Sequence, residues 1–93
     1  ELLQTALDAE WHEAPGRGSA AANLAAVWLQ LDRPARAEQA ARLAVSLAPA
    51  SAEARFNLAK ALERLGRREE AIAEYRRLPD FEPARASLRA LGG

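Results

Sequence analysis

Apolar and small residues along this chain recur at three- and four-residue steps, the spacing of a helix face, and not at the two-residue step of a strand. Leu3, Leu7 and Trp11 step by four. The stretch FNLAKALERLGRREEAIAEY, residues 56–75, reads as two amphipathic helical runs hinged at Leu65-Gly66-Arg67. Punctuation supports the same division. Gly66 suits the left-handed position that ends a helix, Pro34 suits a first helical turn, and Ser51 is placed to cap the helix that follows it. The pattern predicts helices at about 2–13, 19–31, 34–47, 52–65, 68–78 and 83–91. Pro79 is expected to end the fifth of these early, because proline removes a helical hydrogen bond.

The apolar skeleton repeats. A shift of 34 residues lays Asn23-Leu24-Ala25 on Asn57-Leu58-Ala59, Leu31 on Leu65, Ala37 on Ala71, Ala44 on Leu78 and Pro49 on Pro83. Small and apolar residues match while charges do not, as expected if packing constrains the first set and solvent frees the second. A fixed period near 34 residues signals stacked helical hairpins. Pro15 lies one period before Pro49, so the register extends toward the start of the chain.

These residues resemble the tetratricopeptide repeat family, with its 34-residue helix–turn–helix units. Residues 52–85 carry Asn57, Leu58, Ala59, Gly66, Ala71, Tyr75, Leu78 and Pro83 at the family positions. Residues 18–51 carry Asn23, Leu24, Ala25, Ala37, Ala44 and Pro49, with Asp32 in place of the turn glycine. Arg55 and Ala21 stand where the family usually has Trp, and Pro79 is a further departure. The resemblance implies an all-α fold, a right-handed α–α superhelix (solenoid) of antiparallel helix hairpins with about six helices. The chain divides into 1–17, the second helix of a preceding repeat, a repeat at 18–51, a repeat at 52–85, and a truncated or capping helix at 86–93.

In such stacks the first helix of each hairpin lines a concave groove that takes a peptide or partner helix. The groove positions implied here are Ser19, Ala22, Asn23, Ala26, Leu29 and Gln30, then Glu53, Phe56, Asn57, Lys60, Glu63 and Arg64. Ala22, Ala26, Leu29 and Phe56 would form an apolar strip, with the two asparagines offering amides on its floor. Lys60 and Arg64, four apart on one helix face, would receive an acidic side chain or a terminal carboxylate. The competing readings are that the asparagines order neighbouring helices, that Lys60 and Arg64 are a solvated face, and that Phe56 is core. One subtype of the family grips acidic tails with a Lys/Asn/Lys/Arg set. Of that set only Asn57 has a counterpart here, which argues against the same clamp.

Composition narrows the function. Of the 93 residues, 49% are hydrophobic and only 5% aromatic, a helix-rich bias in which alanine permits close helix approach. Thirteen basic and thirteen acidic residues cancel, without the basic excess that nucleic-acid binding normally needs. Residues 1–13 nevertheless hold four carboxylates (Glu1, Asp8, Glu10 and Glu13) and no Lys or Arg. The remainder carries the balancing positive charge. Arginine is the basic residue everywhere except at Lys60, a bias matching a GC-rich bacterial genome. The chain contains no cysteine, which excludes disulfides and thiol catalysis. No apolar run is long enough to span a membrane, and no secretory leader is visible. A cytoplasmic location is expected, with no membrane insertion. The chain starts at Glu1 rather than Met, as a trimmed fragment would.

Catalytic constellations are not evident. His12 and Asp8 share a helix face, but two ligands do not close a metal site. Ser19, Ser46, Ser51 and Ser87 have no base nearby for nucleophilic work. Gly16-Arg17-Gly18 reads as a turn and lacks the Lys-Ser/Thr of a phosphate loop. Glu69, Glu70 and Glu74 are flanked by arginines and read as ion-paired surface. Trp28 and Tyr75 fall on core-facing stripes. The reading is therefore a non-catalytic protein–protein interaction module, a scaffold or adaptor, with no cofactor and no metal. The alternatives are an assembly module that self-associates end to end, and a scaffolding fragment of a larger protein.

Overall fold

The computed structural model describes residues 17–92, and five helices account for most of them: α1 (Arg17–Gln30), α2 (Pro34–Leu47), α3 (Ala52–Arg64), α4 (Arg68–Arg76) and α5 (Glu82–Ala90). No strand occurs among the described residues. The fold is an all-α helical repeat. The expected helix at 2–13 lies outside the described residues. Arg17 and Gly18, expected in a turn, form the start of α1. The connections are short, which forces neighbouring helices to run antiparallel. Consecutive helices pack on one another, and α1 also packs on α3.

Each break between helices has a local cause. Asp32 and Gly66 adopt left-handed backbone, with φ of 58° and 81°, and close the turns after α1 and α3. Pro34 starts α2. The Ser51 Oγ accepts from the Ala54 N–H at 3.2 Å and caps α3. α4 stops at Arg76, three residues before Pro79, and is five residues shorter than α2. The shortened helix brings the next one forward. The residues preceding α3 and α5 are Ser51 and Phe81, thirty apart, whereas those preceding α2 and α4 are Arg33 and Arg67, the full thirty-four apart. Pro83 consequently sits in the first turn of α5, while Pro49 lies in the α2–α3 connection.

The core is built of alanine with a few large side chains. Ala21, Ala25, Ala37, Ala41, Ala59, Ala61 and Ala71 are fully buried, and Tyr75 and Leu62 are the largest side chains so enclosed. Small residues let helix axes approach closely. The same closeness appears at Gly18, where an added Cβ would meet the Ala48 Cβ at 3.0 Å. Arg55 pairs with Glu74 across α3 and α4 at 2.8 Å, both side chains mostly buried.

Candidate functional site

α1 and α3 lie side by side, joined by two rungs from α3. The Asn57 Nδ2 donates to the carbonyl of Ala22 at 2.9 Å, and the Arg64 Nη1 donates to the carbonyl of Leu29 at 2.7 Å. Seven residues, about two helical turns, separate both the donors and the acceptors. The rungs therefore sit on one edge of α3. Asn57 is buried, and its Nδ2 joins the two hairpins. Arg64 remains exposed and is a second donor to the Leu29 carbonyl in the last turn of α1, which also accepts from the Asp32 N–H at 3.1 Å. It keeps donors to spare, since a guanidinium carries five.

Beside the rungs, the surface runs from Glu53 through Lys60 to Arg64. The Lys60 ammonium lies 4.0 Å from Glu63 and 5.8 Å from the centre of the Phe56 ring. Phe56 is half-buried and meets Tyr75 (centroids 5.9 Å apart) and Phe81 (5.6 Å) in tilted and edge-on arrangements, the geometry aromatic pairs favour. The Tyr75 hydroxyl donates to Glu63 at 2.8 Å. Burial first, and then that bond to a carboxylate, push the phenol well above its ordinary value of 10.0.

The expected groove residues fall into three groups. Ser19, Asn23, Gln30, Glu53 and Arg64 are exposed, and Ala26, Phe56, Lys60 and Glu63 are half-buried. Ala22, Leu29 and Asn57 are buried, so their side chains belong to the contact between helices. The apolar surface open on this face is therefore Ala26 and Phe56. Phe81 extends it by lining a depression of about 280 Å³ with Ala52, Leu78, Pro79, Arg77 and Asp80. This depression follows from the early end of α4. Sequence reasoning had Pro79 in hand but not its consequence for the surface. The Arg64–Leu29 rung was also missed, although it spans the same 35 residues as the Asn57–Ala22 rung.

Among the described residues, the other candidate chemical groups are not brought together. No cluster of three potential metal ligands exists among the described residues, and His12 and Asp8 lie outside them. No helix among the described residues is long and apolar enough to cross a membrane. Glu70 is held below the usual carboxylate range by the Arg67 guanidinium, which also bridges to Glu38 at 2.9 Å. That is a surface ion-pair network around the α3–α4 turn.

The tetratricopeptide repeat family model matches residues 34–92, well over half of the chain, and the chain belongs to that family. No curated protein and no solved structure is significantly similar to it. Repeats of this family generally mediate protein–protein interaction and are typically non-catalytic.

Proposed function

We propose that the chain is a protein-interaction module whose α1–α3 face forms the concave groove and takes an acidic peptide or partner helix. One observation carries the reading. Lys60 and Arg64 present positive charge beside the half-buried apolar patch of Ala26 and Phe56, on a face whose helices are already tied together. A surface rigid before binding loses little entropy on binding. The bond from Asn57 commits its Nδ2 to Ala22, and Asn23, Ser19 and Gln30 are the exposed uncharged polar side chains offered to a ligand. Lys60 has a weak neighbour at 4.0 Å and can exchange it for a partner carboxylate.

The test is a panel of acidic and basic peptides, each with one aromatic or aliphatic anchor, measured by fluorescence anisotropy. Lys60→Glu is the informative substitution, because Arg64 also supports α1. Acidic peptides should bind the Lys60→Glu chain about tenfold more weakly, ~1.4 kcal/mol, and high salt should weaken binding to the parent chain and narrow that gap. Ala26→Trp should block the groove by bulk. Unchanged affinity in both variants would place the binding surface elsewhere.

A further inference from the structure

The depression beside Phe81 has a closed counterpart one period earlier. There Ala52 corresponds to Gly18, and Pro79, Asp80 and Phe81 correspond to Val45, Ser46 and Leu47. The latter three form the last turn of α2. Around Gly18 the space is taken, since a Cβ built there would meet the Ala48 Cβ at 3.0 Å and the Leu47 Cβ at 3.7 Å. In the second repeat α4 ends at Arg76, so the chain leaves helical conformation where α2 continues. Ala52, Leu78, Pro79 and Phe81 then line an opening, with Arg77 and Asp80 completing it.

Size and lining point to a side chain as the occupant. About 280 Å³ falls just under the range of about 300–1,000 Å³ for small-molecule sites. Arg77 and Asp80 bring one charge of each sign, so the depression itself selects apolar bulk. Charge selection lies farther along α3. Ala52, Phe56, Lys60 and Arg64 are four apart in turn and form one ridge of the helix. Phe56 joins its two halves, because its ring meets Phe81 edge-on at 5.6 Å and the Lys60 ammonium at 5.8 Å. Glu63, the carboxylate beside Lys60, already accepts from the Tyr75 hydroxyl. Along the helix axis Lys60 lies about 12 Å from Ala52, and Arg64 about 6 Å beyond it. Extended chain covers about 12 Å in about four residues. A helical partner presents a row of apolar anchors, whereas this ridge offers one depression followed by cations.

We propose, taking the α1–α3 face as the groove for an acidic peptide, that the partner binds in extended form. One bulky apolar side chain enters the Ala52–Phe81 depression, and a carboxylate about four residues away meets Lys60. The early end of α4 thereby sets both the size of the anchor and its spacing from the acidic residue.

Fluorescein-labelled Gly/Ser peptides carrying one leucine and one Asp-Asp pair test this by anisotropy. The pair is placed about two, four or eight positions from the leucine, on either side, with eight matching a helical partner. The parent chain should bind tightest at about four positions, and leucine to alanine in that peptide should weaken binding about tenfold. Ala52→Trp fills the depression and should erase the difference between the leucine and alanine peptides, with unchanged helical ellipticity showing that the chain is folded. Lys60→Glu should weaken both peptides and preserve their ratio. If Lys60→Glu weakens binding but the leucine and alanine peptides bind the parent chain alike, or if affinity ignores the spacing, the anchor site is overturned and the groove stands. Tightest binding at about eight positions overturns the extended mode. Failure of every acidic peptide to bind overturns the groove itself, and the anchor site with it.

Discussion

Asn23 and Asn57 stand in the same Asn-Leu-Ala motif, one period apart, yet Asn23 is exposed and Asn57 is buried against the Ala22 carbonyl. The motif is local, whereas the hydrogen bond needs a helix alongside, and α3 has α1 beside it. Asn57→Ala should cost about 1–2 kcal/mol, combining a net hydrogen bond with a small cavity. Asn23→Ala should stay within about 0.5 kcal/mol and lean toward stabilising, because alanine is the better helix former. Urea midpoints of the two variants measure the contrast, and equal midpoints would remove the tether role. The two readings of this motif, ligand amide or helix tether, were both open in the sequence. The side chain is identical in each, and only the neighbour 35 residues back decides. Arg64 carries the same lesson more strongly, because a charged residue on a helix reads as solvated until a carbonyl is found in its reach.

Among the elements, the turns were the most legible parts. Asp32 and Gly66 occupy equivalent positions, and both take left-handed backbone, so the period located the turn even where the residue type changed. Gly66→Ala adds a Cβ that meets nothing within 4 Å at φ 81°, which leaves backbone strain as the whole effect. It should destabilise by about 1 kcal/mol. Asp32→Gly should move the thermal midpoint in the opposite direction and by less, since aspartate tolerates this conformation better than alanine and glycine adds freedom to the unfolded chain. A stabilising Gly66→Ala would show that the turn is not held as described. α2 was expected at 34–47 and spans Pro34–Leu47, because proline marks its start and the loop proline follows its end. The shortened spacing before α5 was not legible. Pro79 told where α4 stops, but the distance to the next helix depends on how Phe81 settles against Phe56, a contact between residues 25 positions apart.

Across the molecule, Tyr75 is the point where three helices meet. Its ring packs on Phe56 of α3, and its hydroxyl bonds to Glu63 of α3 and interacts with Ser87 of α5. It is 1% exposed and is the single tyrosine in the chain, so tyrosinate absorbance reports this junction alone. The folded state holds the phenol proton more tightly than the unfolded state, in which the group titrates near 10.0. The stabilisation linked to this proton is therefore fully present below pH 10 and is lost as the pH rises above it. The loss is about 1.4 kcal/mol per pH unit until the folded group itself ionises. In a small repeat array the ends have few contacts to spare, so the junction should open before the buried phenol ionises in place. Tyrosinate absorbance and loss of helical ellipticity should then rise and fall together in an alkaline titration. Tyr75→Phe should flatten the pH dependence of stability by about one proton while also losing the bond to Glu63. A tyrosine that titrates completely near pH 10 with the helices intact would mean the ring is reachable by solvent, and the three-helix junction would not be the closed contact described.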